Sequence, residues 1–180
     1  MLTWWIQSRS EARILGLGGA ILLLDQLTKL LVVSSLRLGD HWSVLPGFFH
    51  LVHWGNTGSA WSLFHGNNRA LAALALLAVC ALWYWRSHFE AHRPLGQIAL
   101  GLLFGGTIGN LIDRLVPSRQ HVVDFLYFHL RQRGGGEVGF PAFNVADVAI
   151  CVGVGLMLLL GLIAKSELPA DPNGRPDGAE

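Results

Sequence analysis

The sequence has little charge and little cysteine, and each shortage excludes a class of protein. Only 14% of its 180 residues are charged, and the formal net charge is +1. Because there is no basic run and no alternation of basic with aromatic residues, nucleic-acid binding is not expected. The two cysteines, Cys80 and Cys151, lie inside apolar runs, where a free thiol packs as a small hydrophobe. Neither a disulfide nor a cysteine metal site is therefore indicated.

Two common hydrolase motifs are also absent. No H-E-x-x-H segment occurs, and the eight histidines fall in predicted loops or at span margins, which argues against a zinc protease. A serine mechanism would require an exposed elbow such as G-x-S-x-G, and Gly58-Ser59 does not fit that pattern. The scattered histidines are interpreted as interfacial residues: His50, His53, His65, His121 and His129. The sequence therefore predicts no metal and no cofactor.

Apolar residues are abundant instead. Hydrophobic side chains make up 52% of the chain and the mean hydropathy is +0.43, which is too apolar for an ordinary soluble domain. The predicted membrane spans cover about residues 14–33, 70–85, 95–115 and 144–164. We therefore predict an all-α polytopic membrane protein with one domain, residues 1–166, and a disordered tail, residues 167–180.

Four crossings place both termini on one side of the membrane and the two long loops, 34–69 and 116–143, on the other. The flanking Lys and Arg residues number six on each side, so they do not orient the chain, although Arg9 and Arg13 favour cytoplasmic termini. The first loop is rich in Phe, Trp, Val and His from Val44 to Phe64. This composition, with its turn residues, indicates short strands or an interfacial platform.

Two aspartates interrupt the apolar chain where a charge is costly. Asp124 follows a pair of valines, and Asp147 lies three residues into the last predicted span. A carboxylate at membrane depth costs about 2.5 to 3.5 kcal/mol on insertion scales, so it persists mainly where it performs chemistry, conducts ions or has a partner. Two carboxylates about 3 Å apart share one proton and can activate water for attack on an amide. The proton relay or ion site of a transporter is the alternative use.

Other polar residues in the spans recur at helical spacing. Asp25 and Lys29 are four residues apart and share a helix face, which predicts a structural ion pair. Asn110, Asp113 and Arg114 follow the same spacing near the end of the third span. The planar guanidinium of Arg114 can hold a carboxylate or a backbone carbonyl.

The third and fourth spans carry two further patterns. Gly101, Gly105 and Gly109 recur every four residues, and such a stripe favours close helix packing. Asn144 and Asp147 share a face at the start of the fourth span, where the positive end of the helix dipole favours an anion. A simple N-cap is the alternative interpretation of Asn144.

Five short motifs then occur in order along the chain. They are DQLTK at Asp25–Lys29, NTGSAW at Asn56–Trp61, GGTIGNLIDR at Gly105–Arg114, VVDF at Val122–Phe125 and FPAFNVAD at Phe140–Asp147. Together they resemble the ordered motifs of bacterial lipoprotein signal peptidase, or signal peptidase II. Each motif is short, but five in this order over nearly all of the membrane domain are highly specific.

This resemblance implies an intramembrane aspartic endopeptidase that cuts the signal peptide from a prolipoprotein, just before its diacylglyceryl-modified cysteine. In the family pattern, Asp124 and Asp147 match the catalytic pair. Supporting or substrate-binding positions are matched by Asp25, Lys29, Asn56, Gly58, Asn110, Arg114 and Asn144. The expected partners are lipid-modified prolipoproteins and membrane lipid, with no obligate protein partner.

The resemblance also implies a topology. Both termini are expected in the cytoplasm, with the active site near the outer face of the bacterial inner membrane. The first outer loop is expected to form a small extracytoplasmic sheet platform, which agrees with the composition of Val44 to Phe64.

Two other functions remain as alternatives. A small transporter would use a relay across the bilayer formed by Asp25, Lys29, Asp113, Asp124 and Asp147. Apart from Asp25 and Lys29, the predicted polar residues cluster towards one membrane face, which favours the protease. A structural scaffold would leave the carboxylates unexplained.

Overall fold

The computed structural model describes residues 2–58, 67–89, 91–132, 134 and 136–166, with side chains described from Arg9 to Ala164. Part of the first loop, at 59–66, and the tail predicted to be disordered, at 167–180, lie outside the described residues. In chain order the elements are α1 (Leu2–Ser35), β1 (His41–Leu45), β2 (Phe49–Asn56), α2 (Asn68–Tyr84), α3 (Pro94–Leu115), β3 (Val122–Arg131), β4 (Glu137–Gly139) and α4 (Val145–Ser166).

Each of the four predicted spans corresponds to a described helix. Within the described residues, three helical segments are long and apolar enough to cross a membrane: Arg9–Ser35, Pro94–Leu115 and Val145–Ala164. Helix α2 has 17 residues, the lower limit for a crossing, and is apolar throughout most of its length. Helix α1 begins at Leu2, well before the predicted start of the first span.

The distribution of burial is the reverse of that in a water-soluble bundle. Large apolar side chains on the helices are exposed, with Leu31 66%, Leu77 64% and Leu162 68% accessible, whereas Asp25 and Lys29 are 0% accessible. Lipid can cover exposed leucines at no cost, but it cannot hydrate a charge, so charges turn inwards. This pattern is that of a membrane protein.

Helix α3 is the central element of the bundle, and its glycines explain why. A Cβ placed on Gly105 would lie 2.5 Å from the carbonyl oxygen of Gly18 on α1. One on Gly106 would lie 2.5 Å from the carbonyl oxygen of Ala146 on α4. Only hydrogen fits at these two positions, so α1 and α4 approach the backbone of α3 directly. The predicted packing role of the glycine stripe is confirmed.

The strands form one antiparallel sheet in the order β1-β2-β3-β4. The short strands predicted in the first loop are present as β1 and β2, joined by a turn in which Gly47 has a φ of 77°. The second loop supplies β3 and β4, strands that the sequence analysis did not predict. The run from Val122 is rich in β-branched and aromatic residues, a composition typical of a strand.

The base of the sheet is attached to the end of α1. The Nδ1 atom of His53 on β2 is 2.9 Å from the carbonyl oxygen of Leu36, which directly follows α1. Val32 on α1 packs with Val123 and Phe125 of β3 in a small buried apolar cluster. Because β3 starts against the helices, its first residues are held at the junction between the bundle and the sheet.

Candidate active site

Asp124 and Asp147 meet at this junction. Asp124 is the third residue of β3 and is 4% accessible. Asp147 lies in the first turn of α4 and is half-buried. The strand fixes the direction of one carboxylate and the helix start fixes the other, so neither depends on a mobile loop.

Asn144 joins the two carboxylates. Its Nδ2 donates to Asp124 Oδ1 at 2.8 Å, and its backbone N–H donates to Asp147 Oδ2 at 3.1 Å. In return, its Oδ1 accepts from the backbone N–H of Asp147 at 2.9 Å. This reciprocal pair is a capping box, so Asn144 caps α4 and contacts the first aspartate with the same side chain. The two interpretations of Asn144 are therefore compatible.

Asn110 on α3 holds the second carboxylate from the other side. Its Nδ2 donates to Asp147 Oδ1 at 2.8 Å. Its Oδ1 accepts from Lys29 Nζ at 2.9 Å and from Asn144 Nδ2 at 3.2 Å. Because the lysine can only donate, it requires the amide oxygen to face it, and the amide NH₂ then faces Asp147.

Lys29 lies in a fully buried ion cluster beneath the aspartates. Its Nζ is 2.8 Å from Asp25 Oδ2 and 2.7 Å from Asp113 Oδ2, with all three side chains 0% accessible. The predicted ion pair of Asp25 and Lys29 is confirmed. Asp25 Oδ1 also accepts from the backbone N–H of Ala146 at 3.0 Å, which ties α1 to the start of α4.

Asn56 and Gly58 of the first loop enclose the site together with Arg114 from the last turn of α3. Asn56 Nδ2 donates to Asp124 Oδ2 at 3.0 Å, while its Oδ1 accepts from the N–H of Gly58 at 2.9 Å. Arg114 donates to the carbonyl oxygen of Gly58 and to that of Asn110, both at 3.1 Å. Of the two uses predicted for this arginine, holding a backbone carbonyl is the one observed.

The surroundings of Asp124 favour its protonated form. Burial, followed by the negative charge of Asp147, raises the pKa of Asp124 to about 7, although the hydrogen bonds from Asn56 and Asn144 act in the opposite direction. A carboxyl group with this pKa holds a proton close to neutrality and can release it. Such a group can serve as a general acid or base.

All nine predicted site residues lie in this one assembly. The expectation that Asp25 and Lys29 stand apart from the polar cluster is wrong, because Lys29 contacts Asn110 directly. All five residues of the alternative relay therefore lie at one end of the helices and do not form a path across the bilayer.

Sequence reasoning missed two members of the assembly. Gln26 donates to Asp113 Oδ1 at 3.3 Å and to the carbonyl oxygen of Gly109 at 3.1 Å. Arg119 forms an ion pair with the same Asp113 oxygen at 2.8 Å. Gln26 could have been found from the sequence, because it lies inside the DQLTK motif. Arg119 could not, because no residue spacing indicates that its side chain turns back towards α3.

No metal site accompanies these carboxylates in the part of the chain that the structure describes. Within it, no three His, Cys, Asp or Glu side chains converge as metal ligands would.

The fold and the assembly define a class: a helical membrane protein with two carboxylates held together at one end of its bundle. Comparison with known families gives the next step, since the family model described as signal peptidase (SPase) II matches residues 17–163. The chain belongs to the signal peptidase II family. It is a bacterial membrane protease that removes signal peptides from prolipoproteins.

Individual relatives agree with this assignment. The chain is 42% identical to the lipoprotein signal peptidase of Symbiobacterium thermophilum over 135 residues, or 75% of this chain and 84% of that protein. It is 39% identical to that of Bacillus pumilus over 141 residues, or 78% of this chain and 86% of that one.

A solved structure shares the fold. A bacterial membrane enzyme determined by the in meso method at 2.3 Å resolution superimposes with a TM-score of 0.71 and 27% identity. The match covers 93% of this chain and 94% of that one. The chain therefore shares the fold of a bacterial membrane enzyme.

Proposed function

We propose that the protein is an aspartic endopeptidase in which Asp124 and Asp147 activate water to cut a prolipoprotein before its diacylglyceryl-modified cysteine. The observation that carries this proposal is that one residue, Asn144, binds both carboxylates. Its side-chain amide donates to Asp124 at 2.8 Å and its backbone N–H donates to Asp147 at 3.1 Å. Two acids held by one residue in a buried site can share a proton, which is the requirement of a catalytic pair.

In the proposed mechanism, Asp124 starts as the protonated member, in keeping with its pKa of about 7. The carboxylate of Asp147 accepts a proton from water, and the resulting hydroxyl attacks the scissile carbonyl carbon. Asp124 donates its proton to the carbonyl oxygen, which gives a neutral tetrahedral intermediate. Collapse of this intermediate breaks the C–N bond. The leaving amine takes the proton held by Asp147, and Asp124 takes a proton from one hydroxyl group of the intermediate as the new carboxyl group forms, which restores the starting protonation of both acids.

The remaining site residues have supporting roles. Asn110 and Asn144 keep the two carboxylates in place through their amide groups. Arg114 holds the Gly58 backbone, and Asn56 joins that backbone to Asp124, so this segment of the first loop forms one wall of the site. Asp25 and Lys29 fix α1 against the other two helices beneath the pair.

The proposal includes the membrane arrangement that the family resemblance implies. Residues 1–166 are a single domain with four membrane helices and both termini in the cytoplasm, and the sheet is at the outer face. The diacylglyceryl chains lie in lipid beside the helices and supply apolar burial of about 0.8 kcal/mol per CH₂. Lipid anchoring sets the register of the scissile bond at the carboxylates.

The first experiment replaces each carboxylate separately. Asp124→Asn and Asp147→Asn should each abolish cleavage while the protein stays folded, because either change removes one half of the proton-sharing pair. The assay is a gel shift of a lipid-modified prolipoprotein with full-length protein in detergent. Asp40→Asn, an exposed acid at the edge of the sheet, is the matched control and should cleave normally.

The double variant sharpens the test. Residues that act as a unit have non-additive effects, so losing both acids should cost little more than losing one. Near-normal turnover by either single variant, with a folded control, would contradict the assignment of the catalytic pair.

The second experiment tests the lipid. A prolipoprotein with an unmodified cysteine has the same backbone but lacks the acyl chains, so it should be cut very poorly. A substrate in which that cysteine is changed to serine should behave in the same way, because the thiol has no proposed chemical role. Rates are compared at equal substrate concentration in one detergent. Equal rates for lipidated and unlipidated substrate would overturn lipid recognition but not the catalytic pair.

A further inference from the structure

A cation from outside the helices reaches the buried ion cluster. Arg119 lies in the connection 116–121 between α3 and β3 and is 13% accessible, and its Nη1 is 2.8 Å from Asp113 Oδ1. The connection turns tightly, with the backbone N–H groups of Arg119 and Gln120 both donating to the carbonyl oxygen of Val116. Gln120 adopts a φ of 55° at this turn. Because the chain reverses here, the side chain of Arg119 points back to α3 and reaches Asp113, six residues earlier in the chain.

Asp113, the partner of this arginine, holds the backbone next to the candidate catalytic pair. Its Oδ2 accepts from the N–H of Val123 at 3.3 Å as well as from Lys29 at 2.7 Å. Val123 immediately precedes Asp124 in β3. The position of the Asp113 carboxylate therefore determines where the strand begins, and with it where Asp124 stands.

The charges of the ion-paired cluster itself balance when Arg119 is counted, and Arg114 on α3 is a further cation that faces Asp113 and both aspartates of the candidate pair. Asp25 and Asp113 contribute two negative charges, while Lys29 contributes one positive charge, and all three side chains are 0% accessible. Arg119 supplies the second positive charge. Without it, a buried set next to Asp124 would carry one uncompensated negative charge, and burial makes such a charge expensive.

We propose that Arg119 is a positioning residue for the cleavage reaction, which balances the buried cluster and, through Asp113, fixes the backbone that carries Asp124. This inference rests on the proposed role of Asp124 and Asp147. The arginine acts through Asp113 and does not touch the reacting atoms. It assigns a catalytic contribution to a loop residue that lies outside every motif of the sequence.

The test uses three variants of the full-length protein in detergent. Arg119→Gln removes the charge, Arg119→Lys keeps it, and Arg119→Gln combined with Asp113→Asn removes one charge of each sign. Arg131→Gln, which changes an exposed arginine at the last residue of β3, is the control. For each variant the kcat, the KM and the pH profile of kcat are measured on a lipid-modified prolipoprotein, together with the melting temperature.

Arg119→Gln should lower kcat by about tenfold with little change in KM, because misplacement of a reacting group affects turnover more than binding. Its pH profile should move to higher pH, since an added negative charge raises the pKa of Asp124. Arg119→Lys should restore most of kcat and the original profile. The double variant should recover the original profile as well, because its cluster is again neutral.

Each contrary result is decisive. A folded Arg119→Gln variant with unchanged kcat and pH profile overturns the proposal. A double variant no better than Arg119→Gln, or failure of both to fold, makes the arginine a structural anchor of its loop and also overturns it. Asp124→Asn measured in parallel separates the two questions: if that variant is inactive while Arg119→Gln is normal, only the role of Arg119 is lost.

Discussion

The molecule contains two ion-paired regions at opposite ends of α1, and they differ in burial more than in geometry. At one end Lys29 lies 2.8 Å from Asp25 and 2.7 Å from Asp113, with every side chain 0% accessible. At the other end Arg86 lies 2.6 Å from Glu11, with side chains 24% and 29% accessible. The distances are similar, yet only the first set is withdrawn from solvent.

The difference shows that the number of carboxylate partners of a cation follows its cost of desolvation. Lys29 has two carboxylates and the Asn110 amide around it, because a buried ammonium with a single partner would lose more hydration than it gains. Arg86 has one carboxylate, one backbone carbonyl and the face of Trp83 at 4.5 Å, and water can supply the rest. The first region positions a site, whereas the second joins α1 to the end of α2.

The largest effect on stability is expected from breaking the buried region. Lys29→Ala should leave two carboxylates buried without their shared cation, at a cost of about 3 to 5 kcal/mol. Thermal unfolding in detergent measures it, and lost activity should accompany the lower melting temperature. Lys29→Met, which keeps the apolar stem, is the matched variant and should be nearly as unstable if charge is the cause.

If Lys29→Ala abolished cleavage without lowering the melting temperature, the stabilising role assigned to Lys29 would be contradicted. Lys29 would then act on the reaction more directly than by holding Asn110 in place.

The next largest effect concerns Asp124, whose burial is not offset by a direct ion pair with the Lys29 cluster. Because the pKa of Asp124 is raised from 3.8 to about 7 in the folded protein, the folded form keeps a proton that the unfolded form has lost. Stability is therefore unaffected below about pH 4 and falls as pH rises towards 7, by at most roughly 4 kcal/mol. Asp124→Asn removes this penalty.

The Asp124→Asn variant should thus melt at a higher temperature than the natural protein at pH 8, and the difference should shrink as the pH falls to 4. Melting curves over that pH range measure it, with Asp40→Asn as the exposed control. A difference that is constant with pH would show that Asp124 ionises normally, contrary to the argument from burial.

The smallest effect is expected at the partly exposed pair. Glu11→Gln removes the charge but keeps a hydrogen-bond acceptor for Arg86, so it should cost no more than about 1 kcal/mol and leave cleavage unchanged. Raising the salt concentration should reduce even this difference, since exposed pairs are screened. A loss comparable to that of Lys29→Ala would show that the contrast between the two regions does not depend on burial.

Much of the architecture could be predicted from hydropathy and residue spacing. The four apolar runs became four helices, and the glycines at every fourth position of α3 became its packing surface, because both patterns depend on local composition and helical period. The pairing of Asp25 with Lys29 was predicted for the same reason. The strand that carries Asp124 was missed, although its composition contained the signal.

What the sequence by itself determined is the set of membrane helices and the list of residues around the two aspartates, since apolar runs must be buried in lipid and the motifs are contiguous. Only the tertiary structure decided which partners those residues take. Asn144 meets Asp124 twenty residues away in the chain, and Lys29 meets Asn110 eighty-one residues away. Such contacts depend on how closely the helices approach, which no local pattern specifies. Arg119 reaches Asp113 because the turn before β3 reverses the chain, and the charge balance of the site is therefore a property of the fold.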